Sequence, residues 1–115
     1  MTKKKDKHYF NAIPKKFNKK QRYTIMLIKK YPCIKSQIER GEVVNAADQA
    51  IFDVVTDVIF NTKFLPNGYD RLELISRKYW ENETNVKEYA AEKLVSYSTA
   101  MLWLYDFVNA VAESI

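Results

Sequence analysis

The C-terminal stretch decides the fold of this chain: DRLELISRKYW (70–80), ENETN (81–85) and VKEYAAEKLVSYSTAMLWLYDFVNAVAESI (86–115). Two segments with apolar residues at helical spacing flank a polar break. Asp70 with Glu73, and Asn85 with Glu88, have the spacing of capping boxes that open helices. Ser96 or Ser98 can then cap a long final helix. This order of helix, turn, hydroxyl cap and helix predicts a helix-turn-helix-like region over residues 69–115.

The residues before this stretch predict further helices and no convincing strand. Apolar anchors predict a helix from Lys15 to Tyr31, and Pro32 and Gly41 bracket a separate short helix, CIKSQIER (33–40). Asn45 is a predicted N-cap for a core helix that ends near Lys63, ahead of the turn residues LPNG (65–68). We therefore expect an all-α fold of about six helices, with a flexible basic arm at 1–14 and a single helical domain at 15–115.

The amino-acid composition of the chain argues against several classes of function. The lone Cys33 excludes an internal disulfide, and one cysteine with one histidine, His8, gives poor support for a metal site. The acidic residues of 81–92 are typical of a solvated face, and neither glycine lies in a phosphate-binding loop, so we expect neither an enzyme nor a cofactor. No segment is long and apolar enough to cross a membrane, and we expect a cytoplasmic protein with no membrane partner.

The charge is distributed unevenly along the chain. Residues 1–40 hold 13 Lys/Arg and 2 acidic residues, a net charge of +11, whereas residues 41–115 hold 6 and 12, a net charge of −6. A basic arm on an acidic body suggests a polyanionic partner. The alternative is that the lysine-rich terminus is only solvated.

Four short segments resemble a known family: YDRLELISRKYW (69–80), KEYAAEKL (87–94), SYST (96–99) and FVNAVA (107–112). Together they resemble the C-terminal half of RinA/ArpU-type regulators, which are late-gene transcription activators of phages of Gram-positive bacteria. That half is itself similar to the promoter-reading region of sigma factors. The resemblance implies a helical fold, sequence-specific binding to promoter DNA and no enzymatic activity.

The sequence departs from the family in the last helix. Where the relatives carry Arg and Lys, this chain has AMLWLYD (100–106), which lacks the cations that contact phosphates. Three interpretations remain open: a DNA-binding regulator whose affinity has moved to other basic residues, a protein-interaction module that reuses the scaffold, or an apolar helix that is simply buried.

Two sets of candidate residues follow from these interpretations. The expected partners are double-stranded promoter DNA, RNA polymerase or a phage or host regulator, and a second copy of the chain in a homodimer. The candidate DNA contacts are Lys15, Lys16, Lys19, Lys20, Arg22, Lys93, Tyr97, Ser98 and Thr99. The candidate partner or dimer contacts, expected on the outer face of the last helix, are Leu102, Trp103, Leu104 and Tyr105.

Overall fold

The computed structural model of this protein describes residues 17–82 and 85–115, which form five α-helices and no β-strand. The helices are α1 (Lys19–Glu39), α2 (Ala46–Thr62), α3 (Gly68–Ile75), α4 (Val86–Glu92) and α5 (Tyr97–Ser114), and a π-helical turn (Ser76–Trp80) continues α3. The predicted all-α class is confirmed. The predicted arm at 1–14 and the candidates Lys15 and Lys16 lie outside the described residues.

The two helices predicted on either side of Pro32 are one continuous helix, α1, so that prediction was wrong. Pro32 has no N–H and leaves the carbonyl of Ile28 without its helical donor. The indole Nε1 of Trp80 donates to this carbonyl at 2.9 Å. A side chain distant in sequence thus replaces the missing hydrogen bond, and the helix continues through the proline.

Side-chain caps begin three of the helices as the sequence predicts. Asn45 accepts from the backbone N–H of Asp48 at 2.7 Å, and Asn85 accepts from that of Lys87 at 2.9 Å. Ser96, the first of the two predicted alternatives for α5, accepts from the N–H of Thr99 at 3.0 Å.

The predicted capping box of Asp70 and Glu73 was wrong, because α3 begins at Gly68 and Asp70 lies in its first turn. Asn67 precedes the helix with φ of 59° and makes no side-chain cap. A Cβ on Gly68 would lie 2.6 Å from the carbonyl oxygen of Thr62, so the start of α3 packs too closely on the end of α2 for any other residue.

Helix α5 packs against α1, α2, α3 and α4, and its apolar residues form the centre of the core. Trp103 is 4% exposed and Leu104 1%. The expectation that these two side chains lie on an outer face was therefore wrong, because α5 is covered on several sides by the other helices. The buried side chains of α5 are Ala100, Trp103, Leu104, Phe107, Val108 and Val111.

Helix α4, the connection Lys93–Ser96 and α5 follow one another along the chain. Ala90, on α4, is 2% exposed. Leu94, at the turn, is 92% exposed, and its φ of 59° directs the chain out of the helix. Val95, the next residue, packs against the core.

Candidate nucleic-acid interface and adjoining groove

One face of α1 carries exposed cations towards both ends of a row, with two apolar side chains between them. Its members recur at spacings of three and four residues, which places them on one side of the helix. Tyr23 and Met26, in the middle of the row, are 58% and 62% exposed. We call this row the basic stripe: Lys19, Arg22, Tyr23, Met26, Lys29 and Lys30.

The cations of the basic stripe form no ion pair with any other residue in 17–82 and 85–115. Helix α1 holds six Lys/Arg residues and a single carboxylate, Glu39, at its far end. The ion pairs of the described residues involve Arg40, Arg71, Arg77 and Lys93 instead. Among the described residues the stripe is thus a surface of unpaired positive charge about 17 Å long, at a rise of 1.5 Å per residue.

The opposite face of α1 holds the helix in place. Gln21, which is 5% exposed, caps the helix start reciprocally with Asn18 and also donates from Nε2 to Oδ1 of Asn109 on α5, at 3.3 Å. Thr24 and Ile28, on the same side, are buried. The basic stripe therefore lies on a helix whose orientation is set by contacts with the core.

A groove of about 450 Å³ adjoins the N-terminal end of the stripe. Residues of α1, the π-helical turn, the start of α4 and the first turns of α5 line it. Its walls are mostly apolar, and two cations, Arg22 and Lys78, lie among the lining residues. The full lining is Phe17, Arg22, Ile25, Lys78, Tyr79, Val86, Tyr97, Met101 and Leu104.

This groove brings together two candidates that are far apart in sequence, Arg22 and Tyr97. The Lys87 ammonium lies over the Tyr97 ring, 5.7 Å from its centroid, and adds a further positive charge at this end of the molecule. Lys19 and Lys20 are exposed one turn away on α1. The N-terminal ends of α1 and α4 thus contribute cations to one positively charged region beside Tyr97.

The other two candidates at the tip of α5 differ in availability. Ser98 is exposed, whereas Thr99 is half-buried. The Thr99 hydroxyl accepts from Ser96 Oγ at 2.9 Å, within the helix cap. Of this pair, Ser98 is the side chain free to meet a ligand.

Lys93 does not belong to the positively charged region. Its ammonium lies 3.0 Å from Glu73 Oε1 and 3.7 Å from Asp70 Oδ1, on α3. Glu73 also accepts from the Tyr89 hydroxyl at 3.0 Å and from Arg77 at 2.8 Å. The hydrogen bonds from Lys93 and Tyr89 hold the pKa of Glu73 below its ordinary value. Lys93 therefore ties α3 to the end of α4, and its charge is compensated by carboxylates.

The solvent-exposed side of α5 carries no cation that could contact a phosphate. The helix contains no Lys or Arg, and its exposed charges are Asp106 and Glu113. The candidates Leu102 and Tyr105 are half-buried, and Tyr105 stacks on Phe17 with ring centroids 6.3 Å apart. This face is acidic and partly covered.

A separate apolar surface lies where α2 ends and α3 begins. Phe60 and Phe64 are 57% and 74% exposed and form an edge-to-face pair with centroids 5.2 Å apart. Leu65 and Tyr69 are exposed beside them in sequence. We call these four residues the aromatic corner: Phe60, Phe64, Leu65 and Tyr69.

Sequence reasoning missed the basic stripe as a unit, although its signal is present in the sequence. Lys29, Lys30, Tyr23 and Met26 follow Lys19 at helical spacing. The groove could not be predicted, because it needs the relative placement of four elements.

Within the described residues no helix is long and apolar enough to cross a membrane, and no group of three or more His, Cys, Asp or Glu side chains is arranged to hold a metal ion. Comparison of the chain with protein-family models, curated proteins and solved structures finds no match.

Proposed function

We propose that this protein binds double-stranded DNA through the basic stripe of α1 and acts as a transcriptional regulator. The observation that carries the proposal is the row of exposed cations on α1, which have no acidic partner among the described residues. Carboxylates are abundant on the rest of the chain, yet none of those in 17–82 and 85–115 forms an ion pair with this face. Such a face is the electrostatic footprint expected of a phosphate-binding surface.

The dimensions of the stripe suit this role. Duplex DNA carries one negative charge per about 1.7 Å of its axis, so a 17 Å row of cations meets several phosphates at once. Tyr23 and Met26 can contact sugars between those phosphates. Contacts of this kind position a protein on the duplex without reading its sequence. Any preference for sequence then falls to Tyr97 and Ser98 at the tip of α5.

The connection between α4 and α5 is part of the same proposal. In a DNA-reading helix-turn-helix the second helix lies in the major groove and presents polar side chains to base edges. Here α5 is largely buried and lacks cations. We therefore assign the helix-turn-helix-like region mainly a structural role and place the DNA contacts on α1.

The family resemblance supplies the biological context of the proposal. A late-gene regulator of this type would bind near a promoter and recruit RNA polymerase. The basic stripe would provide affinity for DNA, and a second surface would contact the polymerase or another regulator. Positive rather than negative regulation rests on the resemblance alone.

Fluorescence anisotropy with a duplex from upstream of the protein's own gene, and with a scrambled duplex, tests the proposal. A matched pair of variants sharpens it: Lys29→Gln/Lys30→Gln removes two stripe cations, and Lys35→Gln/Lys63→Gln removes two exposed cations elsewhere. We expect the stripe variant to bind on the order of tenfold more weakly than the control variant. Equal affinity of the two variants would contradict a role for the stripe, and equal affinity for both duplexes would contradict a promoter-specific regulator.

The aromatic corner supports a second candidate function, a docking surface for a protein partner. Contiguous exposed apolar residues are uncommon on monomeric proteins and often mark interaction sites. In a transcription assay with purified polymerase, Phe64→Ala should reduce activation while leaving DNA affinity unchanged. If Phe64→Ala activates as well as the wild-type protein, the corner is not the polymerase contact.

A further inference from the structure

The groove beside the basic stripe has the size and lining of a small-molecule site. Its volume of about 450 Å³ lies within the range of about 300–1,000 Å³ in which proteins hold ligands. Ile25, Val86, Met101 and Leu104 give it apolar walls drawn from three helices. A mostly apolar pocket with a few polar groups is the usual composition of a ligand site.

Tyr79 gives the groove a buried polar group that lacks a partner. This residue is 6% exposed and lines the groove, and its hydroxyl has no hydrogen-bond partner in the described part of the chain. Burial raises the pKa of the Tyr79 hydroxyl, so the group stays neutral and keeps its proton. The part of the groove wall formed by Tyr79 therefore carries no negative charge.

Two cations in the groove favour a ligand with a negative charge. Arg22 donates one guanidinium N–H to the Phe17 carbonyl at 2.7 Å, and this bond leaves its other donors available. Lys78 lines the same groove. Neither forms an ion pair with a residue of 17–82 or 85–115. An apolar cleft with two cations and a neutral hydroxyl is complementary to an anion with an apolar body.

We propose that this groove binds a small amphipathic anion, a carboxylate or sulfonate whose aliphatic or aromatic body occupies the cleft. The head group meets Arg22 and Lys78, and the body contacts the apolar walls. This inference stands on the groove alone and does not require that the protein bind DNA.

The test uses the full chain and two anionic probes, 8-anilinonaphthalene-1-sulfonate and decanoate. We expect the sulfonate to fluoresce on binding to a single saturable site and to be displaced by decanoate. Decyltrimethylammonium, with the same chain length and the opposite charge, should displace it far less. Near-ultraviolet circular dichroism confirms that the protein used is natively packed, because partly folded proteins also bind this fluorophore.

Four variants separate the contributions to binding. Arg22→Gln should weaken decanoate binding about tenfold through the loss of a charge-assisted hydrogen bond, whereas Lys35→Gln, an exposed control on another side of α1, should have no effect. Met101→Trp should fill the cleft and abolish binding. Tyr79→Phe should raise the melting temperature of the free protein, since it removes the unsatisfied hydroxyl.

Three results would overturn the proposal. They are the absence of saturable binding by either probe, displacement by the cationic amphiphile as effective as that by decanoate, and unchanged binding in both Arg22→Gln and Met101→Trp. Loss of DNA binding in the stripe variant Lys29→Gln/Lys30→Gln with retained decanoate binding would show that the two sites act separately, in agreement with this inference.

Discussion

A single hydrogen bond between residues distant in sequence allows the longest helix, α1, to continue through a proline. The carbonyl of Ile28 lacks a backbone donor because residue 32 is proline, and Trp80 supplies the donor from the π-helical turn. Trp80 also packs against Tyr31 and Phe107, with ring centroids 5.4 and 6.4 Å away. The indole is held in place by these rings and can satisfy the carbonyl.

A double-mutant cycle measures this hydrogen bond. Trp80→Phe should reduce the free energy of unfolding by the loss of packing and of the bond, the latter worth about 1 kcal/mol. In a Pro32→Ala background the backbone N–H of residue 32 can bond to Ile28 itself, so Trp80→Phe should cost about 1 kcal/mol less. Urea unfolding of the four proteins checks this. Identical costs in the two backgrounds would show that Trp80 acts only by packing.

Glu73 gives the second prediction at the scale of the residue. Its folded-state pKa is lowered from 4.5 by hydrogen bonds from Lys93 and Tyr89. The unfolded chain therefore binds this proton more readily, so the contribution of Glu73 to stability is complete above pH 4.5 and is lost as the pH falls through the folded-state pKa.

Replacement of Glu73 by Gln should make the free energy of unfolding fall less steeply as the pH is lowered. Between about pH 5 and about pH 3 the free energy of unfolding of the wild-type protein should fall more steeply than that of Glu73→Gln. Asp57→Asn, at an exposed position on α2, is the control and should follow the wild-type slope. A Glu73→Gln profile parallel to the wild type would show that the carboxylate is not stabilised in the folded state.

At the scale of the element, the ends of α1 and α4 show the same geometry with different residues. Both end in a Schellman motif. After α1, Gly41 takes the left-handed position with φ of 78°, and after α4 Leu94 takes it with φ of 59°. The N–H of Val95 donates to the Ala90 carbonyl at 3.0 Å, as the motif requires. A leucine thus occupies a position that glycine ordinarily fills.

Leu94→Gly should therefore stabilise the protein. Leu94 contributes little packing because it is 92% exposed, and a side chain in the left-handed region costs about 1 kcal/mol. We expect the free energy of unfolding to rise by up to about 1 kcal/mol in Leu94→Gly, and to fall in Gly41→Ala, where the strain is introduced. A lower melting temperature for Leu94→Gly would mean that the leucine contacts something essential.

Local sequence predicted the element boundaries that local interactions determine. Asn45, Asn85 and Ser96 cap helices through bonds to residues two or three positions away, and Gly41 follows α1 as predicted. The errors occur where distant contacts dominate. Trp80 carries α1 through Pro32, the close approach of Gly68 to Thr62 sets the start of α3, and the surrounding helices bury Trp103 and Leu104.

At the scale of the whole molecule, the distribution of charge favours α1 over α5 as the helix of the proposed DNA contacts. The sequence places a positively charged N-terminal third beside an acidic remainder. The structure gathers six of the basic residues on α1 and leaves α5 without any. The candidates Lys19, Lys20 and Arg22 lie together at one end of α1. Tyr97 lines the same groove as Arg22. Lys93, in contrast, forms an ion pair with Glu73.

The salt dependence of DNA binding tests the central claim most directly. The logarithm of the association constant falls with the logarithm of salt concentration by about 0.9 for each phosphate neutralised. If the basic stripe contacts the DNA backbone, Lys29→Gln/Lys30→Gln should reduce this slope by about 2, and Lys35→Gln/Lys63→Gln should leave it unchanged. A slope that is the same in both variants and in the wild-type protein would contradict binding through α1.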